Sequence, residues 1–220
     1  MVTSCSQCES WILLRHVETE KNIRRGIGDS QTKATGKGIL QLNSVVGLLS
    51  RLKGQQNVII YHGDRGHVMA TVDALAGELG CKAVFDARIS RIGLGSLDGA
   101  VEGSISGDLA SLKLLDDWRS GAIPICDLAI PGIEPFESFT SRISEFLFDL
   151  DESVGQPIIV VSQSVYICFI NLIRGNSLAS IYWNYTPATS EVTVFRRVNG
   201  RLECLELGIV PLEQIGARDA

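Results

Sequence analysis

Two apolar runs that stop abruptly at polar residues fix what this chain can fold into. Trp11-Ile12-Leu13-Leu14 breaks off into Arg15-His16, and Val58-Ile59-Ile60-Tyr61 breaks off into His62-Gly63. A strand buried on both faces reads as a continuous apolar run, the signature of a parallel sheet covered by helices. In open sheets of that kind, ligands bind in the crevice beyond the carboxyl ends of the strands. His16, His62 and His67 are all the histidines of the chain, and each lies at or just past one of these two ends. A site is predicted there.

The remaining pattern extends the same architecture. After a polar loop carrying Asn22, Arg24, Arg25, Gly26 and Gly28, apolar residues at Ile39, Leu42, Val45, Val46, Leu49 and Leu52 recur at helical spacing. Asn57 to Tyr61 is the second strand, and Val68, Val72, Leu75 and Leu79 line a helix that begins near Gly66 and closes at Gly80. Ala83 to Phe85 is a short strand. The glycine-rich stretch through Gly93, Gly95, Gly99 and Gly103 is expected to be irregular, Leu109 to Trp118 helical, and Pro124 to Pro135 a loop. Phe136, Phe139, Ile143, Phe146, Leu147 and Leu150 mark an amphipathic helix, Pro157 to Ser162 a third buried strand, and Val165 to Ile173 a helix ended by Gly175. Ser180 to Tyr185, Glu191 to Val198 and Arg201 to Leu207 look strand-like, the last two joined by the turn signal Asn199-Gly200. The expected fold is a three-layer α/β/α sandwich on a mostly parallel central sheet. A single domain over residues 11–212 is expected, with tails at 1–10 and 213–220.

Composition narrows the partners. With 220 residues, 45% hydrophobic content and a net charge of −5, the chain suits one globular domain and lacks the basic surface that phosphate-backbone binding needs, so nucleic acid is not an expected partner. No apolar run approaches the ~20 residues of a membrane span and no signal peptide is evident, which predicts a cytoplasmic protein without a membrane partner. The six cysteines are scattered, and Cys5-x-x-Cys8 has no second pair to complete a zinc site. Cys168, inside an apolar helix, reads as a buried thiol.

Several segments, in order, carry a family resemblance. Leu13-Leu14-Arg15-His16-Val17-Glu18-Thr19-Glu20-Lys21-Asn22 is similar to the R-H-G-E-T-x-x-N signature of the histidine phosphatase (phosphoglycerate mutase-like) superfamily, with Val17 for glycine. Thr35 to Gln41 resembles its L-T-x-x-G-x-x-Q segment, Tyr61 to Thr71 its S-S-x-x-x-R-A-x-x-T-A segment, and Arg91 to Gly99 its E-x-x-x-G-x-x-x-G element. Phe136-Glu137-Ser138 stands for G-E-S, and Val160-Val161-Ser162-Gln163-Ser164 for V-V-S-H-G.

The resemblance implies a phosphoglycerate mutase-like fold and a nucleophilic His16 that takes up a phosphoryl group, with charge on its oxygens balanced by neighbouring donors. It also exposes departures: His67 stands where a second phosphate-binding arginine is expected, Arg91 where the proton-donating glutamate is expected, and Gln163 where the second histidine is expected. His16, His67, Gln163 and Arg91 are thus the candidate catalytic positions, and Arg15, Asn22, Arg25 and Ser164 the candidate anion-binding ones. An amide donates a hydrogen bond without charge, and a guanidinium cannot act as a general acid. Ordinary phosphomonoesterase activity is therefore expected to be weak or lost. Glu18 and Glu137 are the nearest carboxylates able to replace the acid, and Arg24 and Arg25 are either a solvated loop or a clamp for a second anionic group.

Three readings follow: a divergent enzyme acting through His16 on a phosphorylated or otherwise anionic small molecule; a pseudophosphatase serving as an anion-binding or protein-interaction module; and a divalent metal held by His16, His62, Asp64 and His67. The third is set aside because Gly66 is expected to start a helix and the two later histidines need not face one point. No cofactor or metal is expected, and a homodimer is compatible with the sequence. His62 is read as contacting the next helix, Asp64 as that helix's cap, and Arg91 as either a ligand for an anion or the ion-pair partner of Glu102 or Asp98.

Overall fold

The computed structural model describes residues 10–27, 32–52, 57–63, 66–100, 108–150, 156–175, 185–198 and 201–209. Six strands form one sheet: β1 (Ser10–Arg15), β2 (Val58–His62), β3 (Lys82–Phe85), β4 (Gln156–Val161), β5 (Val192–Val198) and β6 (Arg201–Ile209), in the order β3-β2-β4-β1-β5-β6. β1, β2, β3 and β4 run parallel, whereas β5 and β6 add an antiparallel edge. The helices are α1 (Glu20–Arg24), α2 (Gly36–Leu52), α3 (Met69–Leu79), α4 (Leu109–Arg119), α5 (Phe136–Asp149) and α6 (Gln163–Arg174).

Alternation along the strands sorts the core into two halves. Trp11 and Leu13 pack with Ile159, Val161, Phe139, Phe146 and Phe169 on the side of α5 and α6, whereas Ile12 and Leu14 pack with Ile158, Val160, Val45, Leu49, Val72 and Leu75 on the side of α2 and α3. Each such side chain, fully buried, contributes roughly 1.5–3 kcal/mol. A sheet covered on both faces is the three-layer sandwich, and it makes β1, β2 and β4 neighbours whose carboxyl ends open at one edge. Cys168 sits in this core, and burial pushes its thiol up to about 12, which leaves it inert.

Local structure differs from expectation in several places. The polar loop after β1 contains the short helix α1, and the glycine-rich stretch contains 3₁₀ turns at Ala87–Ile89 and Gly95–Leu97. A third, Ile125–Asp127, interrupts the loop before α5. The helix expected from Gly66 begins at Met69, because Gly66 to Val68 form a turn in which the Met69 amide donates to the Gly66 carbonyl at 3.0 Å. Val68 occupies the N-cap, and Asp64, expected as the cap of this helix, lies outside the described residues. Of the strand expected over Ser180 to Tyr185, all but Tyr185 lies outside the described residues, and Tyr185 is irregular. The Asn199-Gly200 turn is also outside them, although the flanking Val198 and Arg201 pair across β5 and β6.

Two glycines allow backbone to approach backbone where the site is assembled. A Cβ on Gly38 would lie 2.0 Å from the carbonyl oxygen of Glu18, just past β1. One on Gly63 would lie 2.1 Å from the carbonyl carbon and oxygen of Ile89. Only a residue without a side chain fits at either point.

Candidate active site

β1 delivers Arg15 and His16 to the rim of the sheet, and the loop behind them is clamped from four directions. The His16 amide donates to the Val161 carbonyl at 3.1 Å, continuing the β1–β4 ladder, and the His16 carbonyl accepts from the Ser190 amide at 3.1 Å. Thr71 Oγ1 accepts from the Val17 amide at 3.0 Å, and Gln41 Oε1 accepts from the Glu18 amide at 2.8 Å. Gln41 also donates through Nε2 to Thr189 Oγ1 at 2.9 Å. Of these partners, Gln41 and Thr71 come from α2 and α3, on the opposite layer from α6.

The imidazole of His16 is 2% exposed, and its Nδ1 lies 2.8 Å from the Val17 carbonyl oxygen. A carbonyl only accepts, so Nδ1 carries the proton and Nε2 keeps its lone pair. Burial, then the proximity of His67, Arg15 and Lys21, drives the His16 pKa well below its ordinary value, against the opposing bond to Val17. The ring is therefore neutral at physiological pH, the form in which Nε2 is a nucleophile. His67 stacks edge-on against it, with ring centroids 4.6 Å apart at 84°, and Lys21 Nζ lies 3.2 Å from His67 Nδ1. An ammonium only donates, so that nitrogen is the acceptor.

Around the two histidines is a cavity of about 130 Å³ whose lining includes Arg15, Lys21, Asn22, Arg91, Arg119 and Gln163, together with Ser162 and Ser164. Arg15 is 9% exposed; it donates through Nη1 to the Pro187 carbonyl and through Nη2 to Gln163 Oε1 at 3.5 Å, while its Nε has no hydrogen-bond partner among the described residues. Burial draws its pKa down to about 10, resisted by Glu191 and Tyr166, so it stays charged at neutral pH. Burial likewise raises Glu191, whose carboxylate accepts from the Ala188 amide at 2.7 Å and from Tyr185 Oη. Because Arg15 holds the oxygen of Gln163, the amide nitrogen of Gln163 is left to donate. Asn22 is oriented by the same logic: Oδ1 accepts from the Thr19 amide at 2.9 Å and from Thr19 Oγ1 at 3.0 Å, leaving Nδ2 as a donor. The first turn of α6 adds backbone amides and the positive end of a helix dipole.

A matching family model, "Histidine phosphatase superfamily (branch 1)", spans residues 11–209. The chain belongs to this superfamily. A relative named phosphoglycerate mutase GpmB, from Shigella dysenteriae, is 28% identical over 167 residues, 74% of each chain. Among solved structures, Bacillus stearothermophilus YhfR superposes with a TM-score of 0.73 at 20% identity, over 90% of this chain and 95% of that one. A mutant Entamoeba histolytica phosphoserine phosphatase in complex with phosphoserine gives 0.68 at 20% identity, covering 92% and 98%.

Seven of the eight residues singled out from the sequence, Arg15, His16, Asn22, His67, Arg91, Gln163 and Ser164, line the one cavity. The eighth, Arg25, lies outside it, on an adjoining open pocket of about 350 Å³ shared with Lys21, Asn22, Gly26, Arg119, Gln163 and Thr186. Arg24, in contrast, points to solvent beside Glu20 at 3.8 Å. Arg91 forms the ion pair expected with Asp98, through Nη1 at 2.9 Å, and its side chain borders the cavity. Neither carboxylate weighed as a substitute acid is there. Glu18 accepts from Thr35 Oγ1 at 2.7 Å and lies 3.8 Å from Lys37 Nζ, and Glu137 is exposed on the first turn of α5. His62 borders a different, apolar groove with Ile39, Met69 and Phe85, so it and His67 face different points.

Lys21, Trp118 and Arg119 were not anticipated as parts of a superfamily-type site. Lys21 sits on a helix the sequence pattern did not reveal. Trp118 and Arg119 end α4, and nothing in their local sequence signals that this end reaches across to β1.

Proposed function

We propose that this chain is a divergent histidine phosphatase-fold enzyme acting through His16 on a phosphorylated or otherwise anionic small molecule, with ordinary phosphomonoesterase activity weak. The observation that carries this reading is the Nδ1–Val17 hydrogen bond, which holds His16 as a neutral nucleophile inside a cavity lined by cations and amide donors. In the proposed reaction Nε2 attacks phosphorus, and Arg15, Asn22 and Gln163 hold the equatorial oxygens whose charge grows in the transition state. Binding of phosphoserine by the Entamoeba structure and of 3-phosphoglyceric acid by a second structure of that phosphatase supports a small phosphorylated ligand here as well.

Two departures argue for slow turnover of alkyl monoesters. Gln163 supplies a donor without charge, and Arg91 occupies the place where the resemblance expects a proton donor. Losing one oxyanion donor costs roughly 3 kcal/mol in comparable sites, and losing a general acid roughly 10²–10⁴-fold in rate. The test is covalent labelling. Phosphoramidate should leave an acid-labile phosphohistidine on His16 that is absent from His16→Ala. Saturable phosphate binding with no phosphohistidine would instead make the protein an anion-binding module.

A further inference from the structure

The geometry points to phosphoanhydrides as the substrate class: a terminal phosphoryl group seated over His16, and a leaving phosphate received by the adjoining pocket of Lys21, Arg25 and Arg119. This rests on the function proposed above and names its substrate.

Three observations lead here. Among the described residues, the linings of the inner cavity and of the outer pocket contain no aspartate or glutamate. The two spaces adjoin, since Lys21, Asn22, Gly26, Arg119 and Gln163 border both. Arg25, held in a left-handed conformation at φ 49, completes the outer wall. A chain with net charge −5 has therefore gathered two arginines and a lysine around the exit from its nucleophile.

Among the described residues, such a lining offers no carboxyl to protonate a leaving group, but it can neutralise one. A departing alkoxide has a basicity comparable to hydroxide, whose conjugate acid water has a pKa of ~15.7, and it leaves slowly unless it is protonated. A departing phosphate, with a second pKa of about 6, leaves as a stable anion. Cations fixed beside the bridging oxygen lower its cost further in a partly desolvated cavity. The bond changes balance without an added reactant. The Nε2 lone pair of His16 forms the N–P bond as the bridging P–O bond breaks, and that electron pair leaves on the departing phosphate. Water then attacks phosphorus, the N–P pair returns to Nε2, and the water protons pass to the released phosphate and to solvent.

The experiment compares phosphate release by the full chain from inorganic pyrophosphate, a nucleoside diphosphate and glycerol phosphate, beside labelling of His16 by phosphoramidate. We expect kcat/KM for one or both anhydrides to exceed that for glycerol phosphate by at least 100-fold, and Arg119→Ala to reduce that preference at least tenfold. The anhydride favoured tells a free diphosphate from a nucleotide substrate. If phosphoramidate labels His16 but neither anhydride is preferred over glycerol phosphate, the anhydride assignment is overturned and the function proposed above stands. If no donor phosphorylates His16, that reading fails too.

Discussion

At the scale of single residues, the site is organised by which atom of each polar group is already occupied. Val17 takes the Nδ1 proton of His16, Thr19 takes the oxygen of Asn22, and Arg15 takes the oxygen of Gln163, so what remains facing the cavity is one lone pair and several donors. A consequence is an unusual acid tolerance. An unperturbed imidazole, with a pKa of about 6.5, would lose roughly tenfold in its neutral form by pH 5.5. With the His16 pKa held well below that value by burial and its cationic neighbours, phosphohistidine formation should change less than twofold between pH 7 and 5.5 in rapid-quench measurements. The sign for stability is opposite. His16 binds its proton less readily folded than unfolded, so its contribution is neutral above pH 6.5 and destabilising below it, with a slope of at most ~1.4 kcal/mol per pH unit. Chemical denaturation at pH 7 and pH 5.5 should show a smaller acid penalty in His16→Phe than in the unaltered chain. Arg91 gives a second prediction at this scale. Because Asp98 lies 2.9 Å from its guanidinium, a carboxylate introduced by Arg91→Glu would meet a like charge that raises its pKa, the property a proton donor needs. Combined with Gln163→His and His67→Arg, the change should increase glycerol phosphate hydrolysis at least tenfold. No gain would show that the cavity has been rebuilt for another purpose.

At the scale of elements, what the sequence makes legible is what repeats. β1, β2 and β4 each carry an unbroken apolar run, α2, α3 and α5 keep an apolar stripe, and α6 is apolar over most of its length, so the hydrophobic pattern alone locates them. Five-residue α1 is too short for a period, and the 3₁₀ turns lean on tertiary contacts: around Ala87–Ile89, Arg142 from α5 donates to the carbonyls of Arg88, Ser90 and Arg91 at 2.6, 2.7 and 3.0 Å, and in Gly95–Leu97 the Ser96 amide donates to the Pro131 carbonyl at 2.9 Å. No local pattern could have shown this. The candidate site divides in the same way. Residues on motifs that follow strands were found, whereas Lys21 and Arg119 depend on helix phase and on packing between layers. The same contacts make the segment carrying Arg91 sensitive to distant change. Arg142 is anchored to Glu134 at 2.7 Å, so Arg142→Ala removes the donor to four carbonyls, those of Ala87, Arg88, Ser90 and Arg91, and an ion pair from a part-buried place, and should cost about 2–4 kcal/mol in equilibrium unfolding. Gly63→Ala should be harsher on the site than on the fold. A methyl group 2.1 Å from Ile89 forces β2 away from the Arg91 segment, and overpacking of this kind costs roughly 1–3 kcal/mol.

At the scale of the whole molecule, charge is distributed against the average. The chain carries −5 overall, yet the cavity at the carboxyl edge of the sheet gathers Arg15, Lys21, Arg91 and Arg119 next to the amino end of α6. Like charges held together without an anion repel one another, and burial adds a desolvation cost that is visible in the lowered pKa of Arg15. An anion that enters relieves both, so ligand binding should register as global stability. Thermal unfolding is the readout. At a phosphate concentration one hundred times its Kd, linkage gives ~2.7 kcal/mol of stabilisation, or roughly 5–10 °C in Tm for a chain of this size. Chloride at matched ionic strength should give less than 2 °C, because it screens the cluster without bridging it. Arg15→Ala should abolish most of the phosphate-specific rise whatever it does to the baseline Tm, since its buried Nε is a donor with no hydrogen-bond partner among the described residues. An equal shift from chloride and phosphate, or one that survives Arg15→Ala, would place the stabilising anion outside the His16 cavity and remove the electrostatic basis for the site.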